Sequence, residues 1–293
     1  MQRLVTILRL SRPLYLILAA LTYILGAGIA RFLGKPQVPT AFWLGLLSVL
    51  FIQLSMSLLV EVFRPFNEPI VADETISDRR LTRDAALYVS IAALASLAVI
   101  AFLLYRDRLL NAPAFFLIGI SLLVLLVYSV PPLRFVDKGL GELLLSIQIA
   151  YLSPSIAYLL QARVYHNLVV FISTPLVFLA LAMLLAFDFP SYSGDMKYER
   201  NTLLARLGWE RAISFHRFLV LGAYILFTTA PIFGFSLGLI WPVFLTLPFA
   251  LLQIYWLQNI SLGAKPLWNL LTANAITILG LSAYLLTLTF WLR

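Results

Sequence analysis

The sequence predicts an all-helical protein that lives in a membrane, and three observations carry that reading. Of its 293 residues, 62% are hydrophobic and only 12% are charged, with a mean hydropathy of +0.96. A soluble domain of this length carries about a quarter charged residues, so the chain lacks the polar side chains to cover itself in water. The apolar residues gather into runs of about 20, the length a helix needs to cross a hydrocarbon core. Period-two alternation is hard to find, which argues against a barrel, whereas helices satisfy their own backbone groups in lipid.

Nine such runs follow one another. The first, 13–32, comes after the basic lead MQRLVTILRLSRP; it is long for the core of a cleaved leader and more runs follow, so it reads as a span. The second, 41–63, runs into an acidic segment. The third, 85–105, and the fourth, 112–130, follow, and the fourth leads into Pro131-Pro132. The fifth is 140–160, and the sixth, 168–187, ends at a second acidic segment. Only a short turn with Gly and Ser separates the seventh, 212–233, from the eighth, 239–257, and the ninth is 267–292. The whole chain, 1–293, is expected to form one integral-membrane domain.

Charge sets the expected orientation. If the runs alternate in direction, 15 of the 21 Lys and Arg fall on the side of the N-terminus and six on the other. The positive-inside rule then places the N-terminus in the cytoplasm and the C-terminus outside. This asymmetry also accounts for the net charge of +8, so no nucleic-acid partner is inferred. There is no cysteine, which excludes disulfides and thiolate metal sites. His166 and His216 have no partner at ligand spacing.

Of the 13 acids, six lie between Glu61 and Asp84 and four between Asp188 and Glu210. Both segments fall on the cytoplasmic side, four runs apart. That repetition suggests two four-helix pseudo-repeats plus one added helix, with a central cavity between the halves open to the cytoplasm. In DFPSYSGDMKYERNTL, Asp188, Tyr192, Asp195 and Glu199 are spaced four, three and four apart, which puts them on one helical face. Asp188 and Asp195 would then be separated by two turns, roughly 10 Å. Carboxylates so arranged repel one another until a divalent cation joins them, and Mg²⁺ prefers a few carboxylates together with phosphate oxygens. Lys197, Arg200 and Arg206 add donors for an anion. The pattern suits a metal-bridged diphosphate better than a bare cation site.

The first segment, EVFRPFNEPIVADETISDRRLTRD, repeats the theme less regularly. Asn67 and Glu68 come first, then Asp73 and Glu74, then Asp78 with Arg79 and Arg80. Pro65 and Pro69 make an unbroken helix doubtful there, so the sequence leaves open whether Asp73 or Glu74 points inward.

These motifs resemble the UbiA superfamily of intramembrane prenyltransferases over nearly the whole chain. The resemblance rests on Ser11-Arg12-Pro13 at the first run and on the acidic motif after the second. It rests equally on Tyr128, Ser129, Pro131, Pro132, Leu133 and Arg134 after the fourth, and on DFPSYSGDMKYERNTLLARLGWERA after the sixth. The DFP-x-Y-x-x-D form is most similar to the dihydroxynaphthoate prenyltransferases of menaquinone synthesis. Two departures stand out: Ser191 occupies the position of the family's central aspartate, and Asp73 comes later than the family spacing, with Val71 nearer to it. They imply weakened metal binding, or a shift of the metal toward Glu74 and Glu199.

The resemblance implies transfer of an isoprenyl chain from an isoprenyl diphosphate to an aromatic acceptor, with Mg²⁺ as cofactor and membrane lipid around the protein. The metal set it implies is Asn67, Asp73, Glu74, Asp78, Asp188 and Asp195, of which Asn67, Asp78, Asp188 and Asp195 also form the expected catalytic group. Arg80, Lys197, Arg200, Tyr128, Arg134, Lys138 and Tyr192 are expected to bind substrate. The expected acceptor is 1,4-dihydroxy-2-naphthoate, with hydroxybenzoate, homogentisate, haem or chlorophyllide as alternatives, and the expected location is a bacterial or organellar inner membrane. The rival is a non-catalytic or transport protein on the same fold. Transport calls for ionisable residues near mid-membrane, and the runs hold almost none.

Overall fold

The structure, a computed structural model, describes residues 2–65, 75–198 and 200–293, with side chains from residue 5 onward. Among them there is no strand, only one isolated parallel bridge between Lys138 and Asn201. The chain forms α1 (Gln2–Leu10), α2 (Pro13–Phe32), α3 (Pro39–Val62), α4 (Ile76–Arg106), α5 (Ala112–Ser129) and α6 (Gly141–Ala162). These are followed by α7 (Asn167–Lys197), a short α8 (Leu203–Leu207), α9 (Trp209–Thr228), α10 (Leu237–Ser261) and α11 (Trp268–Leu292).

Eight of these helices, α2–α7, α10 and α11, are long and apolar enough to cross a membrane. The all-helical membrane class expected from composition is what the chain forms. The seventh expected span corresponds to α9, which is 20 residues long but opens on Glu210 and Arg211 and carries Arg217. Those charges keep it out of the apolar set, so the structure supports eight spans by length and composition where the sequence suggested nine.

Hydrophobic side chains sort by position. In α6 and α7, 78% and 72% of the apolar window is buried, against 28% in α4, so α6 and α7 form the centre of the bundle. Large apolar groups such as Phe102, Phe116, Leu123 and Ile225 point outward from the peripheral helices. In water they would be a liability, while against hydrocarbon they need no cover.

The centre is fixed by close backbone approach. A Cβ at Gly26 of α2 would lie 2.0 Å from the Pro154 carbonyl oxygen of α6, so only glycine lets these helices meet there. Pro154 has no N–H to donate, and the helix widens into a π turn over Gln148–Leu152 just before it. The polar groups of this turn are met from the side: Thr22 Oγ1 donates to the Ile149 carbonyl (2.6 Å) and Ser153 Oγ to that of Gln148 (2.8 Å).

The helix ends define two poles. At one, the start of α2 is tied to the end of α3 by Arg12 and Glu61, and Arg134 beyond α5 donates to the Val60 carbonyl (3.1 Å). At the other, Val38 N–H donates to Gln161 (2.7 Å) and Asn111 to the Leu159 carbonyl (2.6 Å). Trp291, near the C-terminus, donates to the Ile24 carbonyl (3.0 Å), and Arg31 lies 5.2 Å from the Trp291 ring centroid.

Candidate functional site

Charge is brought together at the Arg12 pole. Arg12 caps the start of α2 in the left-handed region, at φ 50°. That conformation costs an ordinary residue roughly 1–2 kcal/mol, and such outliers concentrate where surrounding contacts over-determine them. The contacts here are an ion pair to Glu61 (3.3 Å), the face of Tyr15, whose ring centroid is 5.8 Å away, and the neighbouring Tyr128 side chain. Glu61 is 2% exposed and is also held by Arg64 at 2.6 Å.

Next to this group lies a cavity of about 70 Å³. Its charged and aromatic lining includes Arg12, Tyr15, Tyr128, Glu142, Asp188 and Arg200. Three elements deliver the acids and the second arginine. α7 continues beyond its apolar part to Lys197, passing through Pro190, so Asp188, Tyr192 and Asp195 stand on one unbroken helix, as their spacing predicted. Glu142 occupies the first turn of α6. Arg200 follows α7 and pairs with Asp195 (3.4 Å), and its backbone N–H donates to the Asp195 carbonyl (2.9 Å).

The carboxylates have unlike surroundings. Asp195 is 3% exposed and satisfied, with Ser191 Oγ donating to it at 3.0 Å in addition to Arg200. Asp188 lies beside the Glu142 carboxyl, with Asp195 and Arg200 farther along. Asp188 Oδ2 and Glu142 Oε2 are buried and meet no donor. The other Glu142 oxygen accepts the Leu203 N–H (3.1 Å) at the start of α8.

Of the residues expected from sequence, Asp188, Arg200 and Tyr128 line this cavity, and Asp195 is tied to it through Arg200. Tyr192 packs its ring on Trp209 at 5.6 Å, and Lys197 is exposed with its ammonium over Tyr198. Arg134 pairs with Asp137, and Lys138 donates to the Pro132 carbonyl (3.1 Å), beside the cis Pro131-Pro132 bond. Asp78 and Arg80 are exposed in the first turns of α4, where the Thr75 hydroxyl donates to Asp78. Asn67, Glu68, Asp73, Glu74 and Glu199 lie outside the described residues. Among the described residues, no three His, Asp or Glu side chains are grouped as a metal-binding set.

Sequence reasoning did not single out Tyr15, Glu61 or Glu142 as site residues. For the two acids a signal existed. Glu61 lies within the run 41–63 and Glu142 within 140–160, and an acid inside an apolar run marks a place where the bundle holds polar groups.

Residues 71–271 match the UbiA prenyltransferase family. The chain belongs to that family. No curated protein matches it in sequence. Among solved structures, a UbiA homolog from Archaeoglobus fulgidus bound to Cd2+ is 18% identical, with a TM-score of 0.60 over 96% of this chain and 99% of its own. The same homolog bound to GPP and Mg2+ gives 18% identity and a TM-score of 0.58, covering 98% and 100%. A digeranylgeranylglyceryl phosphate synthase is similar at 19% identity and a TM-score of 0.58, covering 100% and 98%. At these identities the likeness establishes a shared UbiA fold.

Proposed function

We propose that this UbiA-family protein transfers an isoprenyl chain from an isoprenyl diphosphate to an aromatic acceptor inside the membrane, with Mg²⁺ as cofactor. The acceptor favoured by the DFP-x-Y-x-x-D form is 1,4-dihydroxy-2-naphthoate, which would place the reaction in menaquinone synthesis. The observation that carries the proposal is the cavity itself, where two arginines and two tyrosines surround a pair of carboxyl groups at the end of an apolar bundle. GPP and Mg2+ are bound by a structurally similar UbiA homolog.

Hard oxygen donors suit Mg²⁺, which typically takes one or two carboxylates and completes its shell with phosphate oxygens. The orphaned Asp188 Oδ2 fits that role, with Asp195 one step behind it. Bound there, the metal would neutralise charge on the departing diphosphate. Arg12 and Arg200 offer fork-shaped donors to the phosphate oxygens. As the allylic C–O bond breaks, its electron pair leaves with the diphosphate, and the acceptor ring attacks the carbocation and then releases a proton. Tyr15 presents an aromatic face, which attracts a cation, and Tyr128 lines the same cavity.

The orientation belongs to the same reading. Counting α9, which lies outside the eight most apolar helices, as a seventh crossing gives nine, and the positive-inside rule would then put the Arg12 pole in the cytoplasm and the C-terminus outside, in a bacterial or organellar inner membrane. The expected role of Asp78 and of the acidic motif around Asn67 and Asp73 is to complete the metal set.

The test is Mg²⁺-dependent transfer by purified protein in lipid, offering labelled isoprenyl diphosphate with a panel of aromatic acceptors. Product that vanishes in Asp195→Ala supports the reading, and the accepted aromatic names the pathway. No product with any acceptor, and no Mg²⁺-dependent diphosphate binding, sinks it.

A further inference from the structure

We infer that Glu142 is a working carboxylate of the diphosphate site, binding the divalent ion together with Asp188 across the contact between α6 and α7. The inference rests on the prenyltransferase reading and names a residue that the acidic motifs do not contain.

Ser191 stands one turn beyond Asp188 on α7. Its hydroxyl is a neutral donor, spent on Asp195 Oδ2 (3.0 Å) and on the Asp188 carbonyl (3.1 Å). The α7 helix therefore offers only Asp188 and Asp195 as carboxylates. Glu142 arrives from a different helix and adds a third carboxylate to this place, beside Asp188. Its position is held, because Oε1 accepts the Leu203 N–H at 3.1 Å while Oε2 remains buried and unpartnered.

A bound cation would satisfy both carboxylates in this arrangement. Two enclosed carboxyl groups in contact repel each other when both are charged, and Asp188 Oδ2 and Glu142 Oε2 meet no donor; each unpaired buried acceptor costs about 1–3 kcal/mol. The two guanidiniums of the cavity pair with other acids, Arg12 with Glu61 and Arg200 with Asp195. A purely structural glutamate would need only the oxygen that meets Leu203. The second oxygen, aimed at Asp188 inside a cavity lined by Arg12 and Arg200, is what a hard cation coordinated to diphosphate would use.

The test uses Mn²⁺ as a spectroscopic substitute for Mg²⁺. Purified protein in lipid discs is titrated with Mn²⁺ in the presence of inorganic diphosphate, and free Mn²⁺ is read by electron paramagnetic resonance. Glu142→Gln keeps an oxygen for the Leu203 N–H, so the fold is retained. We expect it to weaken Mn²⁺ binding about ten-fold or more, the scale on which metal sites respond to lost partners. Its melting temperature without metal should equal or exceed the wild-type value, since the repulsion with Asp188 is gone, while the rise produced by Mn²⁺ should shrink. Wild-type Mn²⁺ affinity in Glu142→Gln, alongside loss in Asp188→Asn, overturns the role of Glu142 and leaves the prenyltransferase reading standing. A metal-free Glu142→Gln protein that melts well below wild type makes the residue structural and likewise overturns the inference. Absence of Mn²⁺ and diphosphate binding in the wild type removes both.

Discussion

Replacing Glu61 by Gln tests how the Arg12 pole is held together. The side chain is 3% exposed and receives Arg12 at 3.3 Å and Arg64 at 2.6 Å. The amide keeps the shape of the carboxyl but removes the charge that two guanidiniums share. A hydrogen bond to a charged group is worth about 1.5–3 kcal/mol and a neutral one about 0.5–1.5, so each arginine loses roughly 1 kcal/mol. Removing one partner of a fully buried pair costs about 3–5 kcal/mol. The lower figure applies here because Arg12 and Arg64 keep 28% and 15% of their side-chain surface exposed and can recover some solvation. The sum is about 2 kcal/mol, which at about 2–4 °C per kcal/mol lowers the melting temperature by roughly 4–8 °C. The assay is thermal unfolding of detergent-solubilised protein followed by tryptophan fluorescence, with salt varied as a second axis. Because Glu61 is so enclosed, added salt should narrow the gap between wild type and variant only slightly. A variant that melts with wild type, or one whose deficit disappears in high salt, would show that this is an ordinary surface pair and that Arg12 is positioned by something else.

Other expectations follow from single contacts. Gly26→Ala places a methyl 2.0 Å from the Pro154 carbonyl oxygen, so α2 and α6 must separate; overpacking of this kind costs about 1–3 kcal/mol, read as a lower melting temperature. Thr22→Val keeps the volume and removes the donor to the Ile149 carbonyl; it should cost about 1 kcal/mol, with faster hydrogen exchange across the π turn of α6. Arg200→Gln removes the cationic partner of Asp195 and one cationic wall of the cavity; calorimetry with an isoprenyl diphosphate should show weaker binding in the presence of Mg²⁺.

What the sequence revealed depended on whether the deciding contacts were local. Apolar length alone marked the spans, since a run of about 20 residues is a property of one segment. The four-three-four spacing placed Asp188 and Asp195 on one helix for the same reason, and α7 indeed carries both beyond its apolar part. Local reasoning was weakest where two segments must meet. Nothing in the stretch around Gln148 announces a π turn, because its carbonyls are met by Thr22 from α2 and its position is tied to the contact of Gly26 with Pro154. Trp209–Thr228 shows the opposite case, in which charges within one segment, Glu210, Arg211 and Arg217, set it apart from its apolar neighbours. The cavity combines both situations. Its α7 acid was readable from a motif, whereas Glu142 and Glu61 gain their significance only when α6 and α3 bring them against Asp188 and Arg12. A lone acid in an apolar run looks like a blemish in sequence, yet the cost of burying it means that another element must compensate. An isolated carboxylate in such a run, with a partner due from another helix, is therefore a signal that the sequence itself carries for both residues.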